Sequence, residues 1–314
     1  MKRFLINTLL VAIGVCLVDV AAGFALDYLW TAIPKTQDIG KARYAREQVN
    51  TDIVIVGSSR AAHHYDAKRM ADSLKTTVYN VGLDGCFFLD NMCVMHTLLQ
   101  RYAPRTILLE IAQNALTRES VEHLEGLYLY YWKDDYAKQI IDREEGWSSR
   151  FKLCSNLYRY NANSFKTIGY GIRGLMQGQA GDPLNGYVPN EYVKKRKELV
   201  LKEAGSGKSK LSTWKSRLLD DVLAEASKRG VKVKVVTSPV FNAPIEIAYK
   251  PAEEIARLCR KHGFEYWDYS SEGSFLEHPE WFSDNTHLNR IGAERYTDII
   301  LDRLGKGELA IVRP

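Results

Sequence analysis

The chain has 314 residues, 46% of them hydrophobic and 26% charged, which is enough apolar material for a full core and excludes a disordered or low-complexity protein. Its 43 basic and 38 acidic residues leave a net charge of only +5, and the one dense cluster, Lys194-Lys195-Arg196-Lys197, reads as a solvated helix face, so no nucleic-acid partner is expected. Five cysteines, at 16, 86, 93, 154 and 259, show no CxxC pairing and no zinc spacing with histidine; they read as free buried thiols, with no structural metal and no disulfide framework.

Lys2 and Arg3 precede an apolar stretch from Phe4 to Val18 that resumes after Asp19 and runs to about Leu26. That approaches the ~20 residues a bilayer-spanning helix needs. Positive charge before the stretch, and none after it until Lys35, predicts a cytoplasmic N-terminus and an extracytoplasmic body, periplasmic or at the cell surface. Residues 1–30 are therefore expected to be a transmembrane anchor. A cleaved secretion signal is the alternative, since Ala21, Ala22 and Gly23 supply small residues. Asp19 complicates a purely apolar span, because a carboxylate at the centre of a bilayer costs about 2.5 to 3.5 kcal/mol on insertion scales.

Residues 31–50 read as a polar linker. Beyond it, short apolar runs alternate with helical segments, which is an α/β signature. Strands are expected over 52–56, 77–81, 106–111, 232–237 and 264–268, and helices over 66–74, 88–102, 211–229, 251–262 and 288–304. Three of the strands are near-continuous β-branched or leucine-rich runs, as parallel strands covered on both faces should be. In the last helix Leu288, Ile291, Tyr296, Ile299 and Ile300 form one apolar face, and Gly305 is placed to cap it. From about 115 to 210 the alternation fails. This stretch holds the aromatic run Leu127-Tyr128-Leu129-Tyr130-Tyr131-Trp132 and a glycine-rich segment; it reads as a helical insertion, a candidate lid or substrate platform. Residues 51–305 then form one domain, with 306–314 as a tail.

Two phosphate-loop resemblances fail on inspection. Gly57-Ser58-Ser59-Arg60-Ala61-Ala62 follows a strand and opens a helix, but Ser59 and Ala62 stand where GxGxxG needs glycine. Gly205-Ser206-Gly207-Lys208-Ser209 has Lys202 in place of the first P-loop glycine and follows no strand, so it reads as a flexible basic loop.

In an open parallel sheet, ligands collect outside the carboxyl ends of the strands. Ser58 and Ser59 follow the first expected strand, Gly82 the second, and Asn114 lies just past the third. Asp284 and His287 lie on the loop before the last helix, which returns to the same rim. The chemistry of these residue types is that of acyl transfer. An attacking serine needs a base, His287; the base needs an orienting carboxylate, Asp284; and the oxyanion needs donors, which the backbone at Ser59 and Gly82 and the Asn114 amide would supply. No cofactor and no metal are needed. Arg60 is placed to meet an anionic substrate group, and His63 and His64 are placed as helix-start or pocket-lining residues.

These blocks resemble the SGNH (GDSL-like) hydrolase superfamily. Gly57-Ser58-Ser59 matches its nucleophile block, Gly82 its glycine block, Ala112-Gln113-Asn114-Ala115 the block written GxND, and Asp284-xx-His287 the last block, over about residues 51 to 305 without the insertion. Ala112 and Ala115 depart from the glycine and aspartate of the third block. The resemblance makes Ser59 the nucleophile, with Ser58 in the place of the usual aspartate. It implies a three-layer, flavodoxin-like α/β sandwich with a central parallel sheet of about five strands. The GSS form with a membrane anchor is similar to the extracytoplasmic branch that handles acyl groups on bacterial surface polymers, including DltD-like and alginate-acetylation-like proteins. The implied activity is a serine esterase or O-acyltransferase acting on acyl, chiefly acetyl, esters of a cell-surface carbohydrate or cell-envelope polymer. A lipase-like enzyme with an apolar acyl pocket is a further possibility, and the aromatic run motivates another alternative, a non-catalytic scaffold or glycan-binding protein of the same fold.

Overall fold

In the computed structural model, which describes residues 1–161, 163–178, 181–191, 210–241 and 249–309, the chain divides into two compact units, Met1–Arg43 with Leu124–Gly181, and Tyr44–His123 with Asp182–Pro314. The basic cluster at 194–197 and the loop at 205–209 lie outside the described residues. In chain order the helices are α1 (Lys2–Ala32), α2 (Asp38–Glu47), α3 (Ser59–His64), α4 (Ala67–Leu74), α5 (Phe88–Arg101), α6 (Asp135–Glu145), α7 (Ser149–Lys152), α8 (Asn156–Tyr160), α9 (Asn163–Gln177), α10 (Thr213–Lys228), α11 (Tyr249–Lys261), α12 (Gly273–Leu276) and α13 (Arg290–Leu309). The strands are β1 (Ile53–Val56), β2 (Val78–Asn80), β3 (Thr106–Glu110), β4 (Lys232–Thr237) and β5 (Glu265–Asp268).

The second unit holds a five-stranded parallel sheet in the order β2-β1-β3-β4-β5. Every residue of β1 and β3 is buried, as β-branched and leucine-rich runs must be when helices cover both faces. At the edge, β5 exposes its two ends, Glu265 and Asp268, and buries Trp267. Ile53 lies opposite Val78 on one side and Thr106 on the other, so the chain leaves β1 for one edge and returns to its other flank. Strand order thus reverses between β1 and β3. The crevice at their carboxyl ends is the place where such sheets bind ligands.

Period-two alternation sends Ile53 and Ile55 of β1 to the face covered by α13, which packs on α3 and α4. There they meet Leu108, Val236 and Trp267 from the other strands and Ala293, Tyr296, Ile300 and Leu304 of α13. Full burial of a side chain such as Ile300 stabilises the fold by about 1.5–3 kcal/mol. On the opposite side α10 packs against α5 and α11.

The expected linker is instead ordered. Residues 38–47 are α2, whose Ala45 is fully buried and whose Arg46 forms a buried ion pair with Asp90 of α5. A stretch that reads as polar by composition folds because its alanine and long charged residues are good helix formers and its buried Arg46 has an ion-pair partner.

In the first unit α1 runs unbroken for 31 residues, the one described helix long and apolar enough to cross a membrane. The aromatic run enters a 3-10 helix over Glu125–Tyr130 and is mostly buried, with only Trp132 half exposed at 50%. Its polar tips are tied down, Tyr128 to Glu145 at 2.6 Å, Tyr131 to Asp142 at 2.6 Å and Trp132 Nε1 to the Leu153 carbonyl at 2.8 Å. These rings build the core of the insertion instead of an open stacking platform.

Candidate active site

The turn after β1 is possible only because residue 57 is glycine. A Cβ there would stand 2.7 Å from Ala61 Cβ and 2.8 Å from Glu110 Cβ, so β1, the start of α3 and the end of β3 converge on a site with no room for a side chain. Ser58 is extended and Ser59 is the first residue of α3, where its N–H has no intrahelical acceptor and lies at the positive end of the helix. The hydroxyl of Ser59, and not that of Ser58, meets the histidine: Ser59 Oγ lies 2.7 Å from His287 Nε2.

The loop carrying His287 is organised by Asp284. Its Oδ1 accepts from the Thr286 N–H at 2.7 Å, the Thr286 hydroxyl at 2.9 Å and the His287 N–H at 2.9 Å. Its Oδ2 accepts from His287 Nδ1 at 2.8 Å. Burial opposes ionisation of this carboxyl, but the bonds from His287 and Thr286 outweigh it and hold the group well below the usual carboxylate range. An ionised Asp284 on Nδ1 puts the proton there and leaves Nε2 with a lone pair facing Ser59, the tautomer a general base requires.

Beneath this chain lies a buried polar network. His64 is fully buried, with Nδ1 on Ser238 Oγ at 2.7 Å and Nε2 accepting from the Leu288 N–H at 2.9 Å. The Ser238 hydroxyl donates to Glu110 Oε1 at 2.9 Å, Tyr65 donates to Glu110 Oε2, and Arg60 Nη2 lies 2.9 Å from Oε1 as an ion pair. Burial pushes the Glu110 carboxyl up against the pull of Arg60, Tyr65 and Ser238. Burial likewise pushes the His64 pKa well down, so its imidazole is neutral.

The sequence-predicted residues therefore separate into groups. Ser59, His287 and Asp284 form one continuous hydrogen-bonded chain. Asn114 is exposed on the wall of the cavity that Ser59 and His287 also line, its carbonyl fixed by the Thr117 N–H at 3.0 Å and the Thr117 hydroxyl at 2.8 Å. Gly82 departs from its expected part as a free donor: its N–H donates to Asn80 Oδ1 at 2.9 Å. A Cβ on Gly82 would lie 2.6 Å from both Ala61 Cβ and Ala62 N, so this glycine is required for close packing under α3. Arg60 is buried on Glu110, which matches its charge, and it also lines the cavity beside Ser59. His64 is corrected from pocket lining to a fully buried strut under the His287 loop. His63 sits beside the site with its ring perpendicular to that of His287 at 5.8 Å, holding the Val188 carbonyl at 2.8 Å and Asp84 at 3.0 Å.

The cavity has a volume of about 670 Å³, and Phe87, Phe88, Met92, Ile111, Val121 and Val240 make its wall largely apolar. Sequence reasoning missed this wall, because Phe87 to Met92 read simply as the start of a helix. It also missed Glu110 and Ser238. Their signal was available: a charged residue closing the apolar run Thr106 to Leu109, and a serine just past β4, both at the functional rim.

No family model matches the chain, and no curated protein matches it. Among solved structures it is similar to a lipase/acylhydrolase from Enterococcus faecalis, at 11% identity and a TM-score of 0.39 over 80% of this chain and 94% of that one. It is also similar to LAE5, an alpha/beta hydrolase enzyme from the metagenome of Lake Arreo, Spain, at 11% identity and a TM-score of 0.43 over 82% and 96% of the two chains.

Proposed function

We propose that the protein is a serine hydrolase or O-acyltransferase that works through an acyl-enzyme on Ser59. The observation that carries this reading is the unbroken chain Ser59 Oγ to His287 Nε2 at 2.7 Å and His287 Nδ1 to Asp284 Oδ2 at 2.8 Å, opening into the cavity. His287 takes the hydroxyl proton as Oγ attacks the acyl carbon, and Asp284 stabilises the imidazolium that forms. The Ser59 N–H and the Asn114 amide meet the oxyanion. The C–O bond of the ester then breaks and His287 returns the proton to the departing alcohol. In the second half, water or another hydroxyl gives its proton to His287 and attacks the acyl-serine; as the Ser59 Oγ–acyl bond breaks, His287 returns that proton to Ser59 Oγ and releases the acid or new ester.

The apolar wall of Phe87, Phe88, Met92 and Val121 supports an acyl group longer than acetyl, or an apolar part of the alcohol, held against it. The resemblance to the extracytoplasmic SGNH branch makes a cell-surface carbohydrate or cell-envelope polymer the acyl carrier in this reading, with α1 as the anchor that keeps the site outside the cytoplasm. The test combines fluorophosphonate labelling with hydrolysis of p-nitrophenyl acetate, butyrate and octanoate. Ser59→Ala should abolish labelling, and Ser59→Ala and His287→Ala should each lower turnover by at least about 10³-fold. Asp284→Asn, which favours the wrong tautomer, should cost about 10⁴-fold in kcat with the fold intact. Unchanged labelling of Ser59→Ala refutes the assignment, and a preference for acetate over both longer esters refutes the acyl-pocket reading.

A further inference from the structure

The first unit carries an apolar surface that its own fold does not cover. Helix α9 has three sides. Thr167, Gly171 and Gly174, at helical spacing, are buried against α1; a Cβ on Gly171 would stand 2.7 Å from Leu29 Cβ, and one on Gly174 1.9 Å from the Ala32 carbonyl oxygen. Such small-residue contact is how helices approach closely in membranes. Lys166, Arg173 and Gln177 share a second side, with Lys166 paired to Asp38 at 2.6 Å and Arg173 bonded to Gln177 at 3.0 Å. On the third side Phe165, Ile168, Ile172, Leu175 and Met176 are all exposed, Phe165 by 85% and Met176 by 81%. Trp147 and Phe151, a T-shaped pair at 5.5 Å, add to the exposed apolar surface from the segment that includes α7.

The helix that α9 packs on is continuous with the exposed apolar stretch Phe4 to Val18 of α1. Asp19, the one carboxylate in the expected span before its last turns, is fully employed. Its Oδ1 accepts from the Ser155 hydroxyl at 2.6 Å and the Leu157 N–H at 3.1 Å, and its Oδ2 from the Asn156 N–H at 2.8 Å and the Asn156 amide at 3.0 Å. It thus satisfies the first turn of α8. Asp27, about two turns further on, accepts from the Tyr160 hydroxyl at 2.5 Å. The acceptors for the insertion therefore stand on both sides of the small residues Ala21 to Gly23, and cutting the chain there would strip the Asn156 and Leu157 N–H groups of α8 of their acceptor.

We infer that α1 is retained and that the insertion is its membrane companion, with the Phe165–Ile168–Ile172–Leu175–Met176 side of α9 lying in bilayer lipid. The inference rests on reading α1 as a membrane span. Placing five large apolar side chains in lipid instead of water removes their apolar surface from solvent, which favours this orientation. The basic side of α9 then faces away from the lipid-facing side. The Asp19 contacts remove the penalty of an unpaired carboxylate near the membrane boundary.

The test places one nitroxide label at a time in the full-length protein, reconstituted in phosphatidylethanolamine–phosphatidylglycerol vesicles, with Cys16 and Cys154 replaced by serine. Labels at Phe165→Cys, Ile172→Cys and Met176→Cys should collide with oxygen more than with a water-soluble nickel chelate, as should Val11→Cys on α1. Arg173→Cys should show the inverse. Nickel access at 165, 172 and 176 equal to that at 173, with Val11→Cys still in lipid, overturns this inference alone. Exclusion of both reagents at 165, 172 and 176 overturns it in favour of a protein partner. A water-facing Val11→Cys overturns the reading of α1 as well.

Discussion

Asp284 makes three bonds to its own loop before it meets the imidazole, so the Asp-x-x-His spacing positions the base as well as orienting it. That much follows from the local sequence. The support from His64 does not, because it comes from the far side of a β-α turn. His64 is neutral when folded, its pKa pushed below 6.5 by burial and then by the charges of His287, Arg60 and His63. The unfolded chain releases it to bind a proton below about pH 6.5. Its contribution to stability is therefore complete above that pH and is lost as pH falls toward the depressed folded value, with a slope of up to about 1.4 kcal/mol per pH unit. Urea unfolding at a series of pH values should show this loss in the wild type and a flatter profile in His64→Gln, which does not titrate. His64→Phe leaves the Leu288 N–H without its acceptor, while the Ser238 hydroxyl keeps its bond to Glu110, and should cost about 1–3 kcal/mol. Because it loosens the His287 loop and touches no cavity wall, kcat should fall more than KM rises. A KM effect alone would assign His64 to substrate contact.

At the scale of elements, the strands and most sandwich helices match their expected limits within two residues, since each carries its own periodicity; the exception is α13, which runs on to Leu309 through Gly305, the residue expected to cap it. Strand β1 reads Ile-Val-Ile-Val and is buried throughout; α5 and α10 open and close within two residues of the limits that their apolar faces predict. Helix α2 is built of good helix formers but read as a linker because what anchors it to the fold lies elsewhere, in Asp90 of α5. Both members of that ion pair are almost fully buried. Arg46→Ala should destabilise the protein by about 3–5 kcal/mol, because it strands a buried carboxylate. The double variant Arg46→Met with Asp90→Leu should recover most of that loss, and thermal unfolding of the three proteins separates burial of the helix from the charge pair. Gly82 shows the same limit in the opposite sense. A glycine at a strand end suggested an open donor, and packing against Ala61 and Ala62 together with the Asn80 side chain has taken that role from it.

At the scale of the molecule, one sheet order and one helix pair organise the rest. The order β2-β1-β3-β4-β5 puts the ends of β1 and β3 side by side, and the cavity lies there. If α1 is structural, the mature protein keeps its N-terminus: intact mass of the membrane-extracted protein should include residues 1–23, and carbonate washing should leave it in the membrane fraction. A species beginning after Ala22 would contradict this. The sequence by itself determined the α/β alternation, the apolar N-terminal helix and the pairing of a serine after β1 with an Asp-x-x-His loop. These are local patterns, written in periodicity and in residues a few positions apart. Only the tertiary structure decided that His64 turns inward and Arg60 pairs with Glu110, that an apolar wall faces the nucleophile, and that Asp19 has partners 136 to 138 residues away along the chain. Those outcomes depend on which buried polar groups find partners across the fold, a competition that no single segment of the chain encodes.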